Sequence, residues 1–253
     1  LPEEYRELLY RLLKVAADTE TSLLFPETDW LKGIIDLAPT PEDRLRITRL
    51  YWEELNHGYI FYKLWQGLGV TPTAADYARM REVYFADTPL ETWTDVVLMN
   101  VLADRVGLYQ YRQMDGCSYL PLARIVPKIA KDEVGHSTLG YNNLTTLCQD
   151  PKGKAEAQRL LFKWYPVALD MFGRSESKRD KRYIEWGLKK TTTAALRQSY
   201  LREVNPLLLA MNQSSDVQAI FGTVVRTVVA GSGSISLNPS NPVLDGTTVT
   251  ATA

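Results

Sequence analysis

Two four-residue stretches decide how this chain folds: Glu54-Leu55-Asn56-His57 and Glu133-Val134-Gly135-His136. They contain both of the histidines in its 253 residues. On an α-helix, residues i and i+3 share a face, so each stretch aims a carboxylate and an imidazole at one point. Glu accounts for 15 of the 30 acidic residues. Both histidines having Glu three positions upstream is therefore a chance event of roughly 1 in 300, and the pair is a far stronger signal than one E-x-x-H alone. The competing reading is two amphipathic helices whose Glu and His are solvated. It sits poorly with the Leu, Tyr, Trp and Val around both motifs.

Working outward, most of the chain reads as long helices. Residues 3–25 place Leu8, Leu9, Leu12, Leu13 and Ala16 at helical spacing, and Pro26 in FPETDW should stop that helix. Thr40-Pro41-Glu42-Asp43 is a helix start, with a cap, a proline at the first position and acids in the first turn. The helix it opens should run to about Gly67 and carry the first motif. A short helix is expected after Thr73. A long segment over about 90–113 is broken at Gly116–Pro121, and residues 121–148 carry the second motif, with Pro127 expected to kink or delay the helix. Two or three further helices follow Pro151. The chain is thus expected to be all-α: a four-helix bundle domain over 1–212 with additional C-terminal helices. Residues 213–253 are expected to form a short helix or strand and then a flexible tail rich in Ser, Thr and Gly.

Composition narrows the function. Lys and Arg number 29 and Asp and Glu 30, a net charge of -1 that argues against a nucleic-acid coat or a dedicated membrane-surface protein. No run of 18 apolar residues is present. The first residues show no basic-then-apolar leader, and two cysteines, Cys117 and Cys148, suit a reducing compartment, so the expected location is the cytoplasm. Two cysteines also exclude a Cys-based zinc cage.

Carboxylates mixed with imidazoles suit iron or manganese. Two E-x-x-H helices, each paired with a helix giving one more carboxylate, make a dinuclear site inside a four-helix bundle. Glu20, in VAADTETSLL, and Asp104, in VLADRVGLYQ, are the expected extra acids. They precede Glu54 and Glu133 by 34 and 29 residues, which suits helical hairpins. The expected metal set is Glu20, Glu54, His57, Asp104, Glu133 and His136. Metal-bound imidazoles usually give their other N–H to a carboxylate, and Glu53 and Asp132 are candidates for that role. For Glu53, a plain surface acid is the alternative.

With these residues in view, the chain resembles the catalytic subunit family of phenylacetyl-CoA epoxidase, ferritin-like diiron monooxygenases. The resemblance covers about residues 2–212. It rests on PEEYR near the start, ADTETSLLFPETDWL with Glu20, EELNHG, LADR with Asp104, KDEVGH, KWYPVALDMFG at 163–173 and LRQSYLREVNP. The family's ligand order, Glu, Glu-x-x-His, Asp, Glu-x-x-His, is filled throughout, unlike the related non-catalytic subunit. Departures are Glu53 where the family tends to have Asp, Pro127 in a ligand helix, and the region after about 212.

The resemblance implies two iron ions, or manganese in place of one, that activate dioxygen to epoxidise or hydroxylate an aromatic acyl-CoA thioester. It also implies electrons from a separate flavin and iron–sulfur reductase, and pairing with a sister non-catalytic bundle subunit or with further copies of the chain. Tyr51, Trp52, Tyr59, Phe61, Leu108 and Tyr109 are candidate lining for an apolar substrate wall, with core packing as the alternative. The stretch RSESKRDKRYIEWGLKK holds Arg174, Lys178, Arg179, Lys181, Arg182, Lys189 and Lys190. Of these, Lys178, Arg179, Lys181 and Arg182 are the candidates to grip CoA phosphates, with a solvated helix face as the alternative. A ferroxidase bundle and a structural subunit with a vestigial site are the competing functions.

Overall fold

The computed structural model describes residues 1–21, 30–71, 73, 88–175 and 177–210, without the side chains of 30, 31, 209 and 210. Expectations for a break at Pro26, a short helix after Thr73 and a C-terminal tail lie outside the described residues. Among the described residues there are helices and turns and no strand.

Four long segments build the bundle. The first is α1, Glu3–Thr21. The second is α3, Pro41–Gln66, opened by Thr40, whose hydroxyl accepts from the Asp43 N–H at 3.0 Å. The third is α4, Trp93–Met99, which continues through a π-helical turn at Asn100–Asp104 into α5, Arg105–Arg112. The fourth is α6, Leu120–Leu147. Neighbours run antiparallel. Tyr10 packs on Trp65 while Glu20 abuts Gly58, which orients α1 against α3. Val101 meets Gly140 and Gly107 meets Glu133, which orients the third segment against α6.

Four shorter or outer elements complete the fold. They are α2, Trp30–Leu37, then α7, Pro151–Asp170, α8, Lys178–Glu185, and α9, Thr193–Ala210. The sequence reading had no helix at α2. It is a two-turn element whose Ile34 is fully buried. Asp95 ties α7 to α4: it closes the capping box with Thr92 and accepts from Lys163 Nζ (2.8 Å) and Trp164 Nε1 (2.9 Å).

Pro127 does not delay the fourth helix, which starts seven residues before it. The proline removes one N–H from a helix whose buried residues Leu122, Val126, Ile129 and Glu133 all keep one face, and that packing holds the helix through it.

The apolar residues divide into two clusters. One gathers Leu9, Leu13, Ala17, Phe61, Trp65, Tyr111 and Ile129. The other gathers Ile47, Leu50, Tyr51, Val97, Leu102, Leu144, Trp164 and Tyr200. Along α3 the first cluster takes Phe61 and Trp65 and the second takes Ile47 to Tyr51, so Glu54 and His57 fall between them. Glu133 and His136 fall between Ile129 and Leu144 on α6 in the same way.

The segments approach closely where glycine permits it. A Cβ on Gly140 would lie 2.7 Å from Val101 N and 2.8 Å from Asn100 C, both backbone atoms. Gly135 has open space beside it. Gly140→Ala is expected to lower stability by about 1–3 kcal/mol, as overpacked sites do. Gly135→Ala, at an exposed helical position, is expected to leave it unchanged or raise it by about 0.5–1 kcal/mol. Thermal melts of the two metal-free variants check this. Equal melting temperatures would refute the close approach at Gly140.

Candidate metal centre

Glu20, Glu54, His57, Asp104, Glu133 and His136 come from all four bundle segments and meet in the layer between the two apolar clusters. Ligand atoms of Glu20, Glu54, His57 and Glu133 lie within 4.8 Å of one another, as do those of Glu54, Asp104 and His136. Glu54 belongs to both groups. All six except Asp104, which is partly buried, are buried.

The imidazoles have an inner and an outer nitrogen. His57 Nδ1 lies 3.5 Å from both Glu54 Oε2 and Glu133 Oε1. His136 Nδ1 lies 2.8 Å from Glu54 Oε1 and 3.8 Å from Glu133 Oε2. Neither inner nitrogen is oriented into a hydrogen bond. The outer nitrogens are both engaged, and across the bundle: His57 Nε2 with Asp132 Oδ2 at 3.2 Å, His136 Nε2 with Glu53 Oε2 at 3.0 Å. Each acid thus steadies the histidine of the opposite helix. An outer N–H held by a carboxylate fixes the tautomer that leaves the inner nitrogen's lone pair free for a cation. The donor set of carboxylates and imidazoles therefore fits iron or manganese.

Electrostatics point the same way. Burial, then the charges of Glu54, Glu133 and Asp104, push the Glu20 carboxyl well above its usual range. Burial, Glu54 and Glu133 do the same to Asp104, against the opposing pull of His136 and Asn100. Burial would raise Glu54 too, but His136 and His57 outweigh it and hold that carboxyl well below its usual range. Burial disfavours the imidazolium of His57, yet the carboxylates of Glu133 and Glu54, each 3.5 Å from its inner nitrogen, outweigh it and lift the group to about 10. His136 is lifted to about 12, burial being outweighed by Glu54 and Glu133. Protons hold this layer together without a cation; a cation would replace them.

Several neighbours position the cluster. Gly107 leaves room for Glu133, whose Oε2 would sit 3.1 Å from an added Cβ. The Tyr111 hydroxyl donates to Glu20, and its ring stacks on Phe61 with centroids 5.5 Å apart. Asn100 Nδ2 donates to Asp104 Oδ2 at 2.8 Å. The π turn that carries Asp104 has its carbonyls answered from outside: Tyr200 donates to Leu102 O (3.1 Å) and Arg105 Nε to Val101 O (3.3 Å).

A cavity of about 50 Å³ adjoins the cluster, lined by Glu20, Tyr51, Glu54, Asp104 and Glu133 together with Met99, Ala103 and Met171. Of the expected lining residues, Tyr51 faces it. Trp52 and Tyr59 do not: they stand on the outer face of α3, 64% and 60% exposed. Tyr109 is turned to α9, where its hydroxyl donates to Glu203 (2.6 Å) and Ser199 O (3.2 Å). Phe61 and Leu108 are buried but outside the wall. Met99 and Met171 carried no periodicity that singled them out.

The basic stretch is not brought to the cluster. Arg182 pairs with Glu4 and Glu185. Glu4 and Glu20 are separated by 16 residues of α1, a distance of ~24 Å along the helix. Lys178, Arg179 and Lys181 are not drawn inward on α8. That helix is anchored by buried Asp180, which accepts from Thr193 N (2.6 Å) and Thr193 Oγ1 (3.1 Å). Lys189 lies 5.0 Å from the Tyr183 ring and Lys190 pairs with Asp115.

The raised groups set a pH dependence. Glu20, Asp104, His57 and His136 all hold protons in the folded chain that the unfolded chain releases. The folded state therefore binds more protons between about pH 5 and 9, and stability falls as pH rises there. Glu54 acts oppositely, but only below its ordinary value of 4.5. The metal-free protein is expected to melt at progressively lower temperature from pH 5 to 9, and Glu20→Gln to flatten that slope. Saturating divalent cation should raise the melting temperature more at pH 8 than at pH 6, since the retained protons must leave. A slope unchanged by Glu20→Gln would refute this.

Among the described residues, no helix is long and apolar enough to cross a membrane. Comparison with known proteins adds a family to this geometry. Residues 1–216 match the model of the phenylacetic acid catabolic protein family. The chain is also 27% identical over 219 residues to one of the subunits of the 1,2-phenylacetyl-CoA epoxidase of Escherichia coli strain K12, an alignment covering 81% of this chain and 68% of that relative. A helical bundle with a buried carboxylate–imidazole layer, matched over most of its length, is thus a member of the phenylacetic acid catabolic protein family.

Proposed function

We propose that this chain is the oxygen-activating subunit of a monooxygenase that epoxidises or hydroxylates an aromatic acyl-CoA thioester such as phenylacetyl-CoA. The observation that carries the reading is the orientation of the two imidazoles. Each turns an unbonded Nδ1 inward to shared carboxylates and an Nε2 outward to an acid. The similarity to an epoxidase subunit supplies the substrate class.

In this reading Glu20, Glu54, His57, Asp104, Glu133 and His136 hold two iron ions, with manganese as the alternative metal at the same donors. Ferrous ions held there supply the electrons and the binding site for reductive activation of dioxygen. The protein's own contribution is positioning. Glu54 and Glu133 lie between the two imidazoles, each within 3.8 Å of both inner nitrogens, and would offer carboxylate oxygens to the metal ions there. Glu53 and Asp132 hold the rings in one tautomer, and Tyr111 and Asn100 fix the Glu20 and Asp104 carboxylates. Met99, Ala103 and Met171 form the apolar side of the cavity and exclude water from the reacting atoms.

A cavity of about 150 Å³ accommodates a benzene ring, and this one measures about 50 Å³. An aromatic acyl group therefore enters only if a lining side chain moves. Met99 and Met171 are unbranched, so they yield at least cost. No sulfur ligand set or glycine-rich dinucleotide loop stands out in the sequence. The resemblance to the epoxidase family implies that electrons come from a separate flavin and iron–sulfur reductase and that a sister bundle subunit completes the assembly.

Anaerobic ferrous loading is expected to give about two irons per wild-type chain and none in a Glu54→Ala/Glu133→Ala double variant, with both proteins folded by circular dichroism. Metal analysis after desalting checks it. A wild-type chain that retains no stoichiometric metal would sink the oxygenase reading in favour of a structural subunit.

A further inference from the structure

Tyr51 stands one helical turn before Glu54 on the inward face of α3. It is 1% exposed, and its hydroxyl proton is aimed at no acceptor, although the Asn100 amide lies beside the phenol oxygen. A buried hydroxyl without a partner costs free energy that a phenylalanine ring of the same shape would not incur. Such groups call for an explanation of their own. No neighbouring polar group accepts its proton. Asn100, beside the phenol, gives its amide nitrogen to Asp104, and its Oδ1 is likewise buried without a hydrogen bond, so the phenol does not donate to it. Thr19, the other hydroxyl on the cavity wall, donates to Val15 O at 2.9 Å. Glu20 already accepts from Tyr111. Tyr51 is therefore the hydroxyl donor without an acceptor on a wall otherwise made of carboxylates, thioethers, a methyl group, Gly107 and the committed Thr19 hydroxyl.

The cavity volume limits what could answer it. A cavity that holds a benzene ring measures about 150 Å³, and this one is about 50 Å³. That admits a ligand of two or three heavy atoms and no aromatic ring. A cation in the adjoining layer would favour an anionic ligand.

We propose that Tyr51 is a hydrogen-bond donor to a small anionic ligand of two or three atoms that binds in this cavity against the metal pair. Its role is to orient that ligand and stabilise its charge from the α3 wall of the cavity. The proposal rests on the metal reading above, and its test separates the two.

The probe is azide, a linear triatomic anion, titrated into iron-loaded, air-oxidised wild type and Tyr51→Phe and followed by its charge-transfer absorption. Iron content and the melting temperature of the metal-free proteins are measured alongside. With equal iron in both, Tyr51→Phe is expected to bind azide roughly three- to tenfold more weakly, the loss of one hydrogen bond. Its metal-free form should melt at the same temperature as wild type or higher. Equal azide affinity at equal iron content would overturn the donor role and leave a hydroxyl that serves a trapped water only. A metal-free variant melting several degrees lower would overturn the premise, since the hydroxyl would then be structural. Wild type without iron would overturn the metal reading itself, and the proposal with it.

Discussion

Four carboxylates and two imidazoles share one buried layer, and everything else in the structure is arranged around that fact. Carboxylates this close cannot all be charged in a dry interior, so the metal-free chain keeps protons on Glu20 and Asp104 and draws Glu54 toward His136. The layer gains nothing from the hydrophobic effect. Two apolar clusters, one on each side of it, supply that stabilisation instead. The stability of the bundle thus sits at its flanks, and its middle is reserved for charge. A divalent cation relieves the repulsion that protons relieve without it.

Holding six polar side chains to a common point requires fixed helix positions, and glycine sets them. Gly58 admits Glu20 and Thr21 of α1, Gly107 admits the Glu133 carboxylate, and Gly140 admits the backbone at Asn100 and Val101. These contacts lie at the level of the cluster or one turn from it. The π turn at Asn100–Asp104 adds an extra residue to the third segment. It sets the register so that Asp104 faces the cluster while Tyr111, two turns on, still reaches Glu20. The Tyr200 and Arg105 side chains add hydrogen bonds to two carbonyls of the turn, Leu102 O and Val101 O.

The all-α class and the meeting of the six residues were legible in the sequence because both depend on local periodicity. E-x-x-H places two side chains on one face of a helix whatever lies beyond it, and Thr40-Pro41 marks its helix start through a single capping bond. What the sequence did not reveal depends on which face of a helix meets which neighbour. Trp52 and Tyr59 look as apolar as Tyr51, but they lie on the outer side of α3. The cross-bundle pairing, Asp132 to His57 and Glu53 to His136, needs the antiparallel alignment of α3 and α6. A cluster of Lys and Arg has no address of its own either. Arg182 is spoken for by Glu4, near the far end of α1 from the cluster.

The crossed pairing has a mechanical consequence. If each acid held the histidine of its own helix, either helix could shift without disturbing the ring orientation of the other. Here a displacement of α6 relative to α3 stretches both outer hydrogen bonds at once, because Asp132 and His136 ride on α6 while His57 and Glu53 ride on α3. The inner nitrogens are coupled in the same way through Glu54 and Glu133, one carboxylate from each helix. Ring orientation, tautomer and carboxylate position are therefore one cooperative unit across a single helix–helix contact. Substitutions at Glu53 and Asp132 should then be non-additive, the second costing less than the first, because either alone already releases the alignment that both maintain. Independent acids would give additive losses, and a double-mutant cycle on metal retention distinguishes the two.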